Sequence, residues 1–508
     1  MLDIQISEKK FWDNNVEGYI FLLKENFESA CNFINFDYIE KNYYPNLKEI
    51  LKKHKFESKK GESFILTGKK GDKLVQFIFI GLGNLENRWN IELENLRRAV
   101  GTAVLLLKKL KIKKSVLAVP NEKPFGLIEA RLIRQMVIAG LMADYEFTKF
   151  KSDRKEYEDW SYEMFLSLDA RQDQTYAISL SEGHIIGNAV NFARNLSDLP
   201  ANYINPTTLS MQAKDIADSL DLECKVFGTE EAQKFGMGGF LAVNSGSDEP
   251  GKFVVIEYKT TKKDAPTIAI VGKGVTFDSG GLSLKPSDSM TGMKFDMSGA
   301  AAVIATMKAI GQLKPEVNVV AVAPMVENMP SGKACKQDDI ITFMNGKTAE
   351  IKNTDAEGRL ILADALCYVE KFYKPDVILD IATLTGACLY ALGHFFTGLM
   401  TQDEVLGTKL QAVSLVTGDR VWPLPLDEDF RDAIKSEVAD VANCGLPTYR
   451  AGTITAGLFL SNFVTTKSWA HLDIAGTADG VPGISYLGKG ATGAGVRLFI
   501  DFILNYKK

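Results

Sequence analysis

The sequence predicts an α/β protein of two domains, a smaller N-terminal α/β domain and a larger C-terminal α/β domain with a mixed central sheet. Its 508 residues exceed what one hydrophobic core usually serves, which favours two domains. Apolar, β-branched runs alternate with helical patterns in both parts of the chain, an order that is typical of α/β domains. The composition, 46% hydrophobic and 24% charged, is that of an ordinary globular protein.

The N-terminal domain is predicted to span residues 1–165. Strands are expected at Phe64–Thr67, Leu74–Ile80 and Ser115–Val119, with a helix at Leu96–Leu110. This order of strand, helix and strand predicts a parallel sheet. From Tyr145 to Trp160 the composition turns polar and charged, as is typical of a domain boundary. Residues 166–198 are predicted to be a linking helix region, because apolar residues recur at helical spacing from Ser181 to Leu196.

The C-terminal domain is predicted to span residues 199–508. The segment Leu199–Pro206 is rich in helix breakers, so it ends the linking helix before another helix begins at Thr207. Strands are expected at Phe253–Tyr258, Ile268–Val271, Val317–Ala323, Val377–Ile381 and Trp469–Ile474. Helices between some of these strands complete an α/β pattern.

Charge, cysteine content and the N-terminal sequence indicate the protein's location, its type of partner and the redox state of its thiols. The 59 basic and 64 acidic residues give a net charge of -5, so long-range electrostatics do not favour nucleic acid as a partner. No segment resembles a signal peptide or reaches the length of a membrane span. We therefore expect a cytoplasmic protein with no membrane contact. Six widely spaced cysteines, without a C-x-x-C pair, predict reduced thiols: Cys31, Cys224, Cys335, Cys367, Cys388 and Cys444.

An acidic motif lies where a predicted helix begins. In Asn353–Leu360 two carboxylates and a guanidinium, those of Asp355, Glu357 and Arg359, fall within five residues. An apolar pattern with helical spacing follows, which places the acids on the turn entering the helix. Acids at this position often only cap the helix and complement its dipole, so the motif by itself does not establish a site.

A second acidic cluster follows the strand that ends at Val271. Asp278 and Asp296 come after it, together with Lys273 and Lys285. The carboxyl ends of strands in α/β sheets are where ligands bind. If the two clusters meet, four carboxylates would repel one another unless positive charge compensates them, and two divalent cations would do so best. The four histidines form no H-E-x-x-H motif, so oxygen must be the main ligand. These patterns predict a two-metal hydrolase.

Two other enzyme classes do not fit the same region. A dinucleotide-binding loop after Val271 would need a third glycine where Phe277 stands. A serine hydrolase motif around Ser298 would need glycine at Asp296. The dinucleotide-binding hypothesis also does not predict the acidic cluster.

Five motifs in order resemble those of the leucyl aminopeptidase family, also called cytosol aminopeptidases. They are Val271–Gly281, Asn353–Leu360, Asp380–Gly386, Trp469–Gly476 and Gly490–Arg497. The resemblance covers residues near 190–500, whereas the N-terminal third is similar to the family only in layout. It implies an aminopeptidase whose C-terminal domain is catalytic and which removes N-terminal residues, preferably apolar and Leu-like ones, from peptides.

The resemblance also implies the metal ligands. They are Lys273, Asp278, Asp296, Asp355 and Glu357, with Asp278 and Glu357 bridging two divalent ions. Zinc is the usual metal, although oxygen-rich sites also accept manganese, and magnesium or cobalt could occupy the more exchangeable position. Lys273 would coordinate as a neutral amine, a form that a nearby dication favours.

Two further residues carry catalytic roles by the same resemblance. Lys285 would keep its charge and stabilise the developing negative charge on the peptide carbonyl oxygen. Arg359 would hold a bicarbonate ion that acts as the general base, while the nucleophile would be a hydroxide that bridges the two metals. Without the resemblance, Arg359 would be interpreted as an arginine at the start of a helix that pairs with an acid, and Lys273 as a lysine in an ion pair with a carboxylate.

The resemblance implies a substrate pocket and an assembly as well. The substrate-binding residues would be Met293, Asn353, Ala356, Thr383, Leu384 and Gly386. The assembly would be a homohexamer of peptide-hydrolysing subunits. A nucleic-acid-binding protein with accessory peptidase activity is the alternative from a different class, and the acidic net charge argues against it.

Overall fold

The computed structural model describes residues 1–25, 36–84, 89–120, 123–154, 160–168 and 174–507. The chain divides into two compact units. The first comprises Met1–Asn188 with Gly483–Gly488, and the second comprises Ala189–Pro482 with Lys489–Lys508. Both units combine helices with a β-sheet, and the predicted α/β class is confirmed.

The first unit is built on a six-stranded sheet with the order β1-β6-β5-β2-β4-β3. Its strands are β1 (Leu2–Ile6), β2 (Gly18–Lys24), β3 (Ser63–Lys70), β4 (Lys73–Gly83), β5 (Lys114–Ala118) and β6 (Tyr162–Ser167). Its helices are α1 (Phe36–Asn42), α2 (Leu47–Lys53), α3 (Trp89–Leu110), α4 (Glu129–Asp144) and the first part of α5 (Gln174–Asp198). Almost every residue of β2 is buried, as expected for a strand with both faces covered.

One strand of this sheet departs from the predicted parallel arrangement. The pairs that link β1, β6, β5, β2 and β4 are all parallel, but β3 pairs with β4 in the antiparallel direction. The two strands are joined directly by Gly71 and Asp72, and Gly71 has a φ of +61°, which glycine adopts without strain. A two-residue hairpin therefore replaces the helical crossover that a parallel pair would need.

The second unit is built on a nine-stranded mixed sheet with the order β16-β15-β18-β14-β9-β11-β8-β7, and β10 lies beside β11. Its strands are β7 (Glu223–Phe227), β8 (Lys252–Tyr258), β9 (Thr267–Gly272), β10 (Gly274–Asp278), β11 (Asn318–Asn328), β14 (Val377–Ala382), β15 (Thr397–Thr401), β16 (Val421–Pro423) and β18 (Trp469–Asp473). A three-stranded sheet contains β12 (Ile340–Thr342), β13 (Thr348–Glu350) and β17 (Val441–Ala442). The predicted mixed central sheet is confirmed.

Helices cover the sheet of the second unit. They are α6 (Pro206–Ser219), α7 (Thr229–Phe235), α8 (Gly238–Asn244), α9 (Ser287–Met290), α10 (Ser298–Leu313), α11 (Gly358–Tyr373), α12 (Gly386–Leu392), α13 (Glu404–Thr417), α14 (Gly452–Ser461) and α15 (Val496–Leu504). A 3-10 helix, Met293–Met297, leads directly into α10. One large apolar core joins α11 and α14 to the central strands.

The centre of the sheet is parallel, so several strands end at the same edge. β18, β14, β9 and β11 are parallel neighbours. β11 pairs first with β9, over Asn318–Val322, and then with β10, over Met325–Asn328. The chain therefore leaves β9 and immediately re-enters the sheet as β10, a strand that the sequence pattern did not predict.

The backbone of α10 approaches the central strands very closely. A methyl group on Gly299 would lie 2.3 Å from the carbonyl oxygen of Ile381, and one on Gly272 would lie 2.3 Å from that of Gly299. Only glycine can occupy either position without moving the helix. This contact fixes the 3-10 helix before α10 against the carboxyl ends of β9 and β14.

Two predictions about cellular context can be compared with the structure. Cys224, Cys335, Cys367, Cys388 and Cys444 are free thiols, while Cys31 lies outside the described residues. Among the helices that the structure describes, none has the length and apolar character needed to cross a membrane.

Asp364, on α11, is a buried acid that joins this helix to its neighbours. Its Oδ2 accepts a hydrogen bond from the backbone N–H of Phe240 at 2.9 Å, and its Oδ1 accepts one from Met344 at 3.0 Å. Burial raises the pKa of Asp364 to about 7, although these backbone N–H groups oppose the shift. The folded protein therefore holds this proton more tightly than the unfolded chain does.

We expect Asp364→Asn to remove a pH dependence of stability. Relative to the variant, the wild type should lose roughly 3 kcal/mol of unfolding free energy between pH 5 and pH 8, because only its folded state still releases a proton in that range. Asparagine keeps an acceptor oxygen but does not titrate. Urea unfolding of both proteins at the two pH values measures this change. The same difference between the proteins at both values would contradict the assignment.

Candidate metal centre and active site

Lys273 lies at the junction of β9 and β10, and its backbone is held on both sides. Its N–H donates to the carbonyl oxygen of Ile381 at 3.0 Å, and its carbonyl oxygen accepts from Ala300 N–H at 2.8 Å. The side chain is only 3% exposed. The fold therefore points a lysine into the protein from a fixed position at the sheet edge.

The buried ammonium group of Lys273 joins three other segments of the second unit. Its Nζ lies 2.7 Å from Asp296 Oδ1 and 2.8 Å from Glu357 Oε1. It also donates a hydrogen bond of 2.9 Å to the carbonyl oxygen of Thr383. Asp296 belongs to the 3-10 helix before α10, while Glu357 immediately precedes α11. Lys273 thus brings one acid from each acidic cluster together.

Lys285 makes the corresponding link between the other two acids. Its Nζ lies 2.9 Å from Asp278 Oδ2 and forms an ion pair with Asp355 Oδ1. Asp278 is the last residue of β10, and its Oδ1 accepts hydrogen bonds from Gly280 N–H at 2.9 Å and from Asn328 Nδ2 at 2.8 Å. One oxygen of Asp278 is therefore fixed by the protein, and the other faces Lys285.

The loop that carries Asp355 is held by neutral polar groups. The Asp355 N–H donates to Asn353 Oδ1 at 2.9 Å, which closes a local turn. Asn328 Nδ2, which also contacts Asp278, donates to the carbonyl oxygen of Thr354 at 3.0 Å. A single amide at the end of β11 therefore ties the two acidic segments together.

Three of the acids have the geometry of a metal-binding group. Asp278, Asp355 and Glu357 each offer an oxygen atom, and these atoms lie within 4.8 Å of one another. Asp296 Oδ2 is buried and has no hydrogen-bond partner among the described residues, so it too can accept a ligand. When all six groups are ionised, the four negative charges of the carboxylates and the two positive charges of the lysines leave a net charge of −2, which divalent cations would neutralise.

The pKa values of the cluster also reflect an excess of negative charge. Burial, followed by the charges of neighbouring carboxylates, raises the pKa of Asp355, of Glu357 and, most strongly, of Asp296. For Lys273 and Lys285 burial opposes the charged form, but the surrounding carboxylates outweigh it and raise both pKa values. The site therefore favours added positive charge.

Arg359 lies in the first turn of α11 with its guanidinium buried. Its Nη1 donates to the carbonyl oxygen of Asn443 at 2.9 Å, while its buried Nε has no hydrogen-bond partner in the part of the chain that the structure describes. Burial lowers the pKa of Arg359, and nearby groups, including Glu357 and Asp473, oppose this. A buried guanidinium with an unused donor is suited to hold a small anion.

The residues predicted for substrate binding lie on the segments that carry the acids. Met293 begins the 3-10 helix of Asp296, and Asn353 and Ala356 lie on the loop of Asp355. Thr383 Oγ1 donates to Asp296 Oδ1 at 2.8 Å.

The remaining two predicted residues follow β14. Leu384 donates its N–H to Asp473 Oδ1 at 3.2 Å, and Gly386 begins α12. Apart from its sequence neighbours and the backbone of α12, no described residue would lie within 4 Å of a methyl group on Gly386, so open space adjoins this end of the helix.

Sequence reasoning missed the amides and the glycine that support these acids. Asn328 and Asn443 lie outside the quoted motifs, although Asn328 follows a predicted strand at the edge where ligands bind. Gly358 lies inside a motif but bears no reactive group. A methyl group there would lie 2.6 Å from Cε and 2.9 Å from Nζ of Lys273.

Comparison with known proteins identifies the family. Residues 191–500 match the sequence model described as "Cytosol aminopeptidase family, catalytic domain". The chain belongs to the cytosol aminopeptidase family. Residues 27–154 match the N-terminal domain of the same family, a region where the sequence had suggested only a similar layout. The predicted membership is confirmed, and with it the metallo-aminopeptidase class of enzyme.

Individual relatives align with nearly the whole length of this chain. A probable cytosol aminopeptidase of Persephonella marina is 42% identical, over 90% of this chain and 91% of its own. One from Vesicomyosocius okutanii is 41% identical, over 91% and 92%. Among solved structures, the bottromycin maturation enzyme BotP in complex with Mn matches with a TM-score of 0.83 and 29% identity, over 96% of this chain and 99% of that chain.

We expect Gly358→Ala to impair the enzyme without unfolding it. Alanine suits the first position of a helix, but its methyl group would displace the Lys273 side chain, which the surrounding protein encloses. Hydrolysis of leucine p-nitroanilide should fall roughly 10-fold to 100-fold. Gly332→Ala is the matched control, because its added methyl group would have no described residue other than its sequence neighbours within 4 Å. Equal activity in both variants would show that Lys273 tolerates displacement.

Proposed function

We propose that the protein is a dimetal aminopeptidase that removes N-terminal residues, preferably apolar and Leu-like ones, from peptides. The observation that carries this proposal is the buried cluster in which Lys273 and Lys285 each join one acid of the 278–296 segment to one acid of the 355–357 segment. The proposed catalytic domain is residues 199–508, preceded by the linking region 166–198 and the N-terminal domain 1–165.

Five residues would hold the two divalent ions. They are Lys273, Asp278, Asp296, Asp355 and Glu357. Support comes from the closely spaced oxygens of three of these acids and from the buried Oδ2 of Asp296, which no described residue contacts by a hydrogen bond. When bound, two such ions polarise a carbonyl group and lower the pKa of water. Zinc or manganese suits this oxygen-rich set, with magnesium or cobalt at the exchangeable position, and a BotP structure contains Mn.

Two cationic side chains would take part in the reaction. Lys285 is partly exposed beside Asp278 and Asp355, so its ammonium group can stabilise negative charge that develops on the substrate carbonyl oxygen. Arg359 would hold a bicarbonate ion as the general base, since its buried Nε has no hydrogen-bond partner within the described residues.

The preference for apolar residues would come from the segments beside the metal ligands. Met293, Thr383, Leu384 and Gly386 would contact the N-terminal side chain, and the open space at Gly386 supports room for it. Asn353 and Ala356 would contact the following residue. An apolar pocket distinguishes neighbouring aliphatic side chains only weakly, so Leu and Met should both be accepted.

We also propose a homohexameric assembly and a cytoplasmic location. Support for the assembly is the family resemblance. The location is supported by the names of the relatives, which are called cytosol aminopeptidases.

Removal of metal should abolish hydrolysis of leucine p-nitroanilide, and returning zinc, manganese, magnesium or cobalt should restore it to different extents. Asp355→Ala should lose on the order of 10³-fold in kcat/KM, because a metal ligand is removed. Asp215→Ala, which removes an exposed carboxylate on α6, should retain wild-type activity. Fully metallated wild type that cleaves neither this substrate nor others with different N-terminal residues would overturn the proposal.

Lys285→Met should lower turnover more than substrate binding. The substitution keeps much of the side-chain length and removes the charge, so kcat should fall roughly 100-fold while KM changes less than about threefold. Steady-state kinetics at saturating metal measure both constants. A raised KM with unchanged kcat would instead assign Lys285 to ground-state binding.

A further inference from the structure

The small sheet of the second unit ends beside the proposed active site. β13 (Thr348–Glu350) and β17 (Val441–Ala442) are parallel, with Ala349 opposite Val441 and Glu350 opposite Ala442. β13 leads directly into the loop of Asp355, and β17 leads directly into Asn443. The pairing of β13 with β17 therefore places Asn443 beside that loop.

Asn443 continues the pairing after both strands have ended. Its backbone N–H donates to the carbonyl oxygen of Glu350 at 2.9 Å. Its side-chain Oδ1 then accepts from Lys352 N–H at 2.8 Å and from Asn353 N–H at 3.3 Å. The amide side chain thus takes the place of a backbone peptide and fixes the start of the loop.

The other end of the same amide fixes the loop further along. Asn443 Nδ2 donates to the carbonyl oxygen of Asn353 at 2.7 Å and to that of Ala356 at 3.4 Å. These contacts lie on both sides of Asp355. Asn443 is completely buried, so bulk water does not reach these polar groups in the folded protein and they depend on one another for hydrogen bonds.

The backbone of Asn443 also holds the proposed anion-binding side chain. Its carbonyl oxygen accepts the 2.9 Å hydrogen bond from Arg359 Nη1. Asn443 therefore contacts the chain before and after Asp355 through its side-chain amide, and it contacts Arg359 through its backbone carbonyl.

We propose that Asn443 is a positioning residue of the aminopeptidase site, holding Asn353–Ala356 and the Arg359 guanidinium in the arrangement that hydrolysis requires. This inference rests on the proposed function, since Asn443 acts through Asp355 and Arg359. An amide suits the task because it donates and accepts at once and adds no charge beside four carboxylates. A carboxylate of the same shape would turn an acceptor towards the two carbonyl oxygens that Nδ2 now contacts.

Asn443→Asp tests the proposal with almost no change in volume. At saturating metal, kcat for leucine p-nitroanilide should fall roughly 10-fold to 100-fold, with KM within about threefold of the wild type. Asn443→Ser carries the same test should the aspartate variant not fold, because the shorter hydroxyl cannot span the contacts to Lys352 and Ala356. Failure of both variants to fold would make Asn443 a purely structural residue and overturn the proposal.

Asn318→Asp is the matched control. Asn318 also bridges two backbone groups with its amide, accepting from Thr260 N–H at 3.1 Å and donating to the carbonyl oxygen of Ala265 at 3.3 Å. Asn318 begins β11 and Asn328 ends it, so the two residues lie about 30 Å apart. This variant should keep wild-type kcat.

The outcomes separate the inference from the function on which it rests. Active wild type with a selective fall of kcat in the Asn443 variant supports the positioning role. Active wild type with wild-type kinetics in Asn443→Asp, or an equal loss in Asn318→Asp, overturns that role and leaves the aminopeptidase proposal intact. If the fully metallated wild type is inactive, the proposed aminopeptidase function itself is contradicted.

Discussion

Four carboxylates and two lysines share one buried edge of the nine-stranded sheet, and the larger unit is built to keep them there. A buried charge without a partner is destabilising by several kcal/mol. Each lysine therefore joins acids from two segments, Lys273 joining Asp296 to Glu357 and Lys285 joining Asp278 to Asp355. Even so, negative charge remains in excess, which makes the cluster receptive to cations and ties the stability of the site to its proposed chemistry.

The sheet brings these groups together through the way its strands end. β9 stops at Gly272, and the chain enters β10 two residues later, so Lys273 is fixed between two strands that pair with β11. Close contacts at Gly272 and Gly299 hold α10, and the 3-10 helix of Asp296, against the same edge. Backbone positions with no side chain thus decide where the charged side chains meet.

Neutral amides complete the arrangement around the acids. Asn328 joins Asp278 to the loop of Asp355 by hydrogen bonds. Asn443 forms hydrogen bonds with the same loop and also with Arg359. The Asn328 amide donates two hydrogen bonds, and the Asn443 amide both donates and accepts, without changing the charge of the cluster. Additional acids would increase repulsion, and additional lysines would compete with the cations that the site is proposed to bind.

The sequence by itself determined the α/β class, the family and the acids and lysines that form the cluster, because strand and helix patterns and the family motifs are local in the chain. Tertiary structure decided the antiparallel β3, the extra strand β10 and the supporting roles of Asn328 and Asn443. These features depend on pairing between distant segments, as in the contact between Asn443 and Arg359, 84 residues apart. A local pattern carries no record of such a partner, since hydrogen bonds of this kind form only once the sheets have assembled.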